Sequence, residues 1–287
     1  MFVLAVAAAG LVLPQPTPIR SVPRKQLVQL RGGILPAATP ELLTKTVASV
    51  IGAASVAQWV SPEASVTQAL AGAAGVKSPS QASSTIFRIS GAWSGCTAMV
   101  LMAGKRGCAK AASSFGLYAA ALTMLAVIPP WDTLGREKAS MVATALVFGV
   151  LGKYTLAGVL TPKLAPALYL LIGGLIFGTP KSTAELYKVS APMDDLAYSM
   201  MSVMGAAIFN TGVYLAALAS GLGQMKSLAA LCFSCAASAV HFTRSFVDKF
   251  DGSTVPGLIW AAVGAALGGL ALQYAQVAGT WGPDERD

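Results

Sequence analysis

The chain has 287 residues, 55% of them hydrophobic, with 20 Lys and Arg against 12 Asp and Glu for a formal charge of +8. A soluble protein of this length would carry about 70 charged side chains, and a mean hydropathy of +0.64 leaves more apolar chain than one soluble core can bury. That balance disfavours an ordinary cytosolic enzyme, a disordered tail and a disulfide mini-protein, and it points to lipid as the solvent.

In chain order, residues 2–13 form an apolar run too short to span a bilayer and of the length of a signal-peptide core, with small residues at 7–10 as a cleavage site. Residues 14–36 are rich in Pro, Gln and Arg, carry Arg20, Arg24, Lys25 and Arg31, and hold no acidic residue. A signal-like run followed by a basic, acid-free stretch resembles the bipartite presequences of proteins sent to plastids of secondary origin. The resemblance implies a presequence over 1–36 and a plastid envelope or thylakoid address, with a secretory-pathway membrane as the alternative. Half of the +8 excess sits in those four basic residues, so the charge reads as an address and no nucleic-acid partner is expected.

Eight apolar, charge-poor segments follow, at 46–59, 85–103, 111–128, 139–160, 164–177, 196–219, 227–243 and 255–275. The first and fifth are short, and the first carries Ser49, Ser55 and Gln58. Between them lie turn signals: Gly104-Lys105-Arg106-Gly107, Pro129-Pro130-Trp131-Asp132, Thr161-Pro162 and Asp251-Gly252. The longest connection, 60–84, has room for a short interfacial helix at 65–76.

The second half repeats features of the first. Gly91 corresponds to Gly205, Lys110 to Lys226, Asp132 to Asp248 and Gly135 to Gly252, at spacings that drift only in the loops. The expected fold is an all-α integral membrane protein of about eight transmembrane helices. They form two parallel four-helix repeats, 37–160 and 161–279, followed by an acidic tail at 280–287. Without the four presequence cations the two sides of such a bundle carry equal numbers of Lys and Arg, so orientation is left open. Helices in lipid associate through close backbone approach, and Gly91 with Gly95, Gly174 with Gly178, and Gly264 with Gly268 are the expected packing pairs. Phe87-Arg88-Ile89-Ser90-Gly91 resembles the opening of DoxX-like four-helix membrane proteins; the likeness covers one helix and carries no function with it.

Polar side chains inside apolar segments are the first pointers to function in such a protein. Asn210 falls midway along its segment and must find a partner across the bundle or line a wet cavity. Lys153 lies near a segment end and can snorkel. His241, the sole histidine, and Arg244 one turn later are expected on the same side as Asp194 and Asp195, so these four form the candidate polar cluster from which a proton relay would be built. Arg88 is expected to anchor its helix at the interface or to pair with Asp194 or Asp195. Cys232 and Cys235 form a C-x-x-C inside an apolar segment, without a second pair to complete a metal site, and read as small buried side chains. The Walker, nucleophile-elbow and H-E-x-x-H motifs are absent, and one histidine makes no bis-histidine haem site. No catalytic, metal or cofactor-binding residue is assigned, and no haem, zinc or nucleotide cofactor is expected.

Three functions fit. A non-enzymatic organelle membrane protein, a scaffold or assembly factor with membrane lipid and a membrane-protein complex as partners, is favoured by the scarcity of intramembrane polar groups. A small-solute or ion permease, with its pathway between the repeats near Asn210 and Lys153, comes second. A lipid-modifying enzyme using His241 with an aspartate comes third.

Overall fold

The structure is a computed structural model describing residues 40–70, 79–103 and 108–277, and all of its regular structure there is helical. The helices are α1 (Pro40–Val60), α2 (Pro62–Leu70), α3 (Gln81–Ala103), α4 (Ala109–Ala126), α5 (Ile128–Thr133), α6 (Lys138–Leu156), α7 (Leu164–Gly178), α8 (Pro180–Leu186), α9 (Asp195–Ala219), α10 (Gly223–Phe250) and α11 (Val255–Val277). The presequence at 1–36 and the tail at 280–287 lie outside the described residues, as do residues 71–76 of the helix expected at 65–76.

Local chemistry sets the boundaries. Asp194 caps α9 by accepting the Ala197 N–H at 2.6 Å, which satisfies an amide that the first turn leaves without an intrahelical partner. Proline occupies the first turns of α5 and α8, where its missing N–H costs nothing. Asp251, at φ 49°, turns the chain out of α10 while the Gly252 N–H returns to the Phe246 carbonyl.

All eight apolar segments form helices, of which fewer than eight have the length and apolarity of a membrane span. Among the described residues five helices, α3, α6, α9, α10 and α11, are long and apolar enough to cross a membrane. A sixth span results if α7 and α8 count as one across their 111° bend. The helix α1 carries Glu41, Lys45 and several hydroxyls, and α4 is an 18-residue, alanine-rich helix that carries Lys110, Ser113, Ser114 and Thr123 and has more than half of its residues buried against neighbours. A helix sheltered by protein does not need a lipid-soluble surface. The protein is therefore an all-helical, polytopic membrane protein.

The bundle is assembled from antiparallel pairs. Gly52 of α1 faces Ala98 of α3 while Ser55 faces Gly91; Leu170 of α7 faces Gly212 of α9 while Phe177 faces Gly205. The helix α6 lies on α4 through Gly152 and Ser114, and α11 lies on α10 through Gly257 against Thr243 and Gly264 against Cys232 and Ala236. At the centre, α3 and α9 meet at the same depth, Thr97 and Thr211 each standing sixteen residues beyond the first of its helix. The outer helices face lipid: only 17% of the apolar stretch of α11 and 28% of that of α6 is buried, against 67% for α9. Leu146, Val147 and Val150 on α6, and Leu258, Ile259 and Trp260 on α11, are exposed.

The packing glycines are partly corrected. A Cβ on Gly91 would stand 2.8 Å from Gln58 Cβ, on Gly95 2.7 Å from Ser55 Oγ, on Gly264 2.9 Å from the Cys232 carbonyl oxygen and on Gly268 3.0 Å from the Phe233 ring, so these four sit at close contacts. Gly174 and Gly178 do not: the first has only ordinary contact with Phe209 and the second has nothing within 4 Å. The close approach on α7 is made by Gly173, opposite Gly205, because the rotation of α7 turns that residue onto the α9 backbone.

Candidate functional site

Several polar side chains within the bundle are engaged across helix pairs, while the buried hydroxyls of Ser84, Ser90, Thr155 and Tyr214 and the Gln58 amide oxygen have no hydrogen-bond partner among the described residues. Asn210 is buried on α9 and accepts from Ser234 of α10 at 2.5 Å, with Ser238 at 3.4 Å from both ends of its amide. The Thr97 and Thr211 hydroxyls lie 2.6 Å apart. Ser55 donates to the Gly91 carbonyl at 2.7 Å, Ser114 to the Gly152 carbonyl at 2.8 Å, and the Tyr169 hydroxyl to the Gly116 carbonyl at 2.7 Å. With that proton committed, the Cys96 thiol 3.2 Å away is the donor to the Tyr169 oxygen.

The cluster expected around His241 does not assemble. His241 is exposed and lies against Phe177, ring centroids 5.0 Å apart, and Phe242, 5.5 Å apart. No hydrogen bond or ion pair among the described residues joins it to an aspartate. Asp194 is occupied as the α9 cap, and Asp195 stands 4.0 Å from Lys181, both well exposed. Arg244, Arg88 and Lys153 are exposed, Lys153 in the last turn of α6, where a cation suits the helix dipole. No disulfide joins the four cysteines, and no three His, Cys, Asp or Glu among the described residues group into a metal site.

The feature that sequence reading missed lies at the end of the bundle that carries α5 and α8. A cleft of about 120 Å³ opens there, with Trp131, Arg136 and Tyr187 at the end-face and Trp93 and Tyr169 among its deep residues. Two connections build the end-face. Pro129 and Pro130 break the chain after α4 and start α5, and Gly135, at φ +78°, turns it back toward α6. The Leu134 carbonyl then accepts both the Ser190 N–H at 3.1 Å and the Ala191 N–H at 3.2 Å, stapling the α5 turn to the strand-like segment before α9.

That staple sets three side chains. Trp131, 1% exposed, meets Tyr187 edge to face with centroids 6.0 Å apart, and the Arg136 guanidinium lies 3.9 Å from the Tyr187 ring centre and 5.1 Å from that of Trp131. Arg136 is the only charged residue on the cleft wall, and among the described residues no carboxylate pairs with it. Burial pushes its pKa down, opposed by Tyr187; burial likewise pushes Tyr187 up, opposed by the guanidinium. Arg136 stays charged under all such shifts. The sequence signal was the run Pro129 to Arg136, whose aromatic and cationic residues have no counterparts at Val247 and Ser253 in the second half.

No protein-family profile matches the chain, and no curated protein or solved structure matches it.

Proposed function

We propose that the protein is a non-enzymatic scaffold or assembly factor of an organelle membrane, built from two parallel four-helix halves and working through contacts with lipid and protein neighbours. The observation that carries the reading is the use made of the intramembrane polar groups: Asn210, Thr97, Thr211, Ser55, Ser114 and Tyr169 each join one helix to another. A solute pathway needs polar groups held open toward a cavity, whereas the cleft wall is mostly apolar.

The duplication draws support from the order of pairing. Helix α1 lies on α3 as α7 lies on α9, and α6 lies on α4 as α11 lies on α10. The spacing of 114 residues that relates Gly91 to Gly205 also relates Thr97 to Thr211, so the two halves meet through equivalent residues, as a pseudo-twofold axis along the membrane normal requires. The apolar faces of α6 and α11 are then equivalent surfaces offered to neighbours. The composition of residues 2–36 supports a plastid of secondary origin as the address, and mass-spectrometric mapping of the mature N-terminus tests it.

A photo-activatable amino acid placed at Leu146 on α6 and, separately, at Ile259 on α11, activated in native membranes, tests the scaffold reading. Protein adducts of defined mass from at least one face are expected. Adducts to lipid alone from both faces would refute it.

A further inference from the structure

We propose that the cleft beneath α5 binds an anionic amphiphile, an oxyanion head on an apolar chain. Arg136 would hold the head, and the chain would run inward between α4, α7 and α9 toward Trp93 and Tyr169. The inference goes beyond the scaffold reading and stands whether or not that reading survives.

The head position follows from Arg136. Its guanidinium is largely removed from water and has no carboxylate partner among the described residues, and a desolvated cation without a counter-charge is costly. Its neighbours Tyr187 and Trp131 hold it by ring contacts, which leave the in-plane N–H donors free; those donors match the two oxygens of a carboxylate or phosphate.

The chain position follows from what lies deeper. Met124, Ile172, Ile176, Met204 and Ile208 line the shaft, and methionine side chains adapt to irregular occupants. At the bottom the Tyr169 hydroxyl is engaged with Gly116 and the Cys96 thiol with Tyr169. Met204 and Ile208 stand nine and thirteen residues into α9 from Asp195, roughly 14 and 20 Å along the axis at 1.5 Å per residue. A cleft of about 120 Å³ drawn out over that depth is a slot for a chain and not a chamber for a ring system.

The two halves differ at this place. Where α4 breaks at Pro129 and Pro130 and folds α5 over the cleft, α10 continues as one helix to Phe250. The cap, its tryptophan and its arginine are thus confined to the first half.

Trp93 and Trp131 make the site self-reporting. In full-length protein in a non-ionic detergent, with Trp59, Trp260 and Trp281 replaced by phenylalanine, brominated stearate and brominated phosphatidate are titrated separately against tryptophan fluorescence. Saturable quenching by at least one is expected; the fatty acid alone assigns a single-chain ligand, and the phosphatidate assigns a membrane lipid. Arg136→Gln should weaken binding at least about tenfold and Arg136→Lys should recover part of it, as expected for a charge-assisted contact. Ala120→Leu, which fills the shaft and leaves Arg136 in place, should abolish saturable quenching. Equal quenching by brominated phosphatidylcholine, no change in Arg136→Gln, or displacement by millimolar inorganic phosphate as effective as by unlabelled amphiphile would each overturn the proposal.

Discussion

Replacing Gly205 by alanine adds one methyl group where, among the described glycines, a neighbouring helix backbone comes nearest. A Cβ there would stand 2.8 Å from the Ile176 carbonyl carbon and the Phe177 Cα, and closer still to the Phe177 nitrogen. All three atoms are backbone, so no side chain can rotate away. The helices α7 and α9 must separate by about 1 Å, and a gap of that size forfeits a quarter to a half of each van der Waals contact along the seam. Overpacking of this kind costs about 1–3 kcal/mol, partly offset by the roughly 1 kcal/mol by which alanine is a better helix former than glycine. Gly149 on α6 supplies the control, since nothing lies within 4 Å of its added Cβ. Gly149→Ala should therefore stabilise by about 0.5–1 kcal/mol, and since the gain in helix propensity is common to both, the two variants differ by the overpacking cost of about 1–3 kcal/mol. At about 2–4 °C per kcal/mol for a chain of this size, thermal melts in detergent separate them by several degrees. Equal melting temperatures for Gly205→Ala and Gly149→Ala would refute the assigned contact.

Asn210→Leu removes the bonds to Ser234 and Ser238 and should lower stability by about 0.6–1.7 kcal/mol, the range for interhelical polar contacts in membranes; a gain in melting temperature would show that the amide is not helping to join α9 to α10. Thr97→Val and Thr211→Val should be non-additive, with a coupling of about 0.6 kcal/mol in a double-mutant cycle, and strict additivity would remove the central contact from the account. Gly135→Ala forces a left-handed residue and drives a methyl into Ser190, at a cost of about 1–2 kcal/mol from the backbone alone. The stapled end-face should then become more sensitive to limited proteolysis at 134–138, and an unchanged cleavage pattern would count against the staple.

The helices were legible because lipid exposure and apolar composition go together. Every apolar segment is a helix, and α9, expected at 196–219, begins one residue earlier at Asp195. Boundaries slipped where charge and backbone geometry part company. The segment expected at 227–243 is a helix from Gly223 to Phe250, since Lys226, Arg244, Asp248 and Lys249 end a hydropathy window without interrupting backbone hydrogen bonds. Pro129 and Pro130 were read as a stop and do end α4, yet they start α5, because proline is welcome in a first turn. The glycine of α7 was misplaced by one residue, as a G-x-x-x-G spacing gives a face without saying which face meets the neighbour. Arg136, Trp131 and Tyr187 escaped notice because they come from two loops whose approach depends on three hydrogen-bonding atoms of Leu134, Ser190 and Ala191. His241 drew attention as the sole histidine, and its setting against Phe177 depends on helix rotation that composition does not encode.

The claim that the interior polar groups join helices and do not line a water path is tested most directly by the native cysteines. Cys96, fully buried beside Tyr169, and Cys232 and Cys235, on α10 within a turn of the Ser234 bond to Asn210, stand next to two of the polar contacts. Intact vesicles treated from either side with a charged, membrane-impermeant methanethiosulfonate, followed by peptide mass spectrometry, read their contact with water, because modification requires a hydrated thiolate. The account predicts that Cys96, Cys232 and Cys235 stay unmodified from both sides. Modification of Cys96 or Cys235 would reveal a water-filled path through the bundle and contradict it.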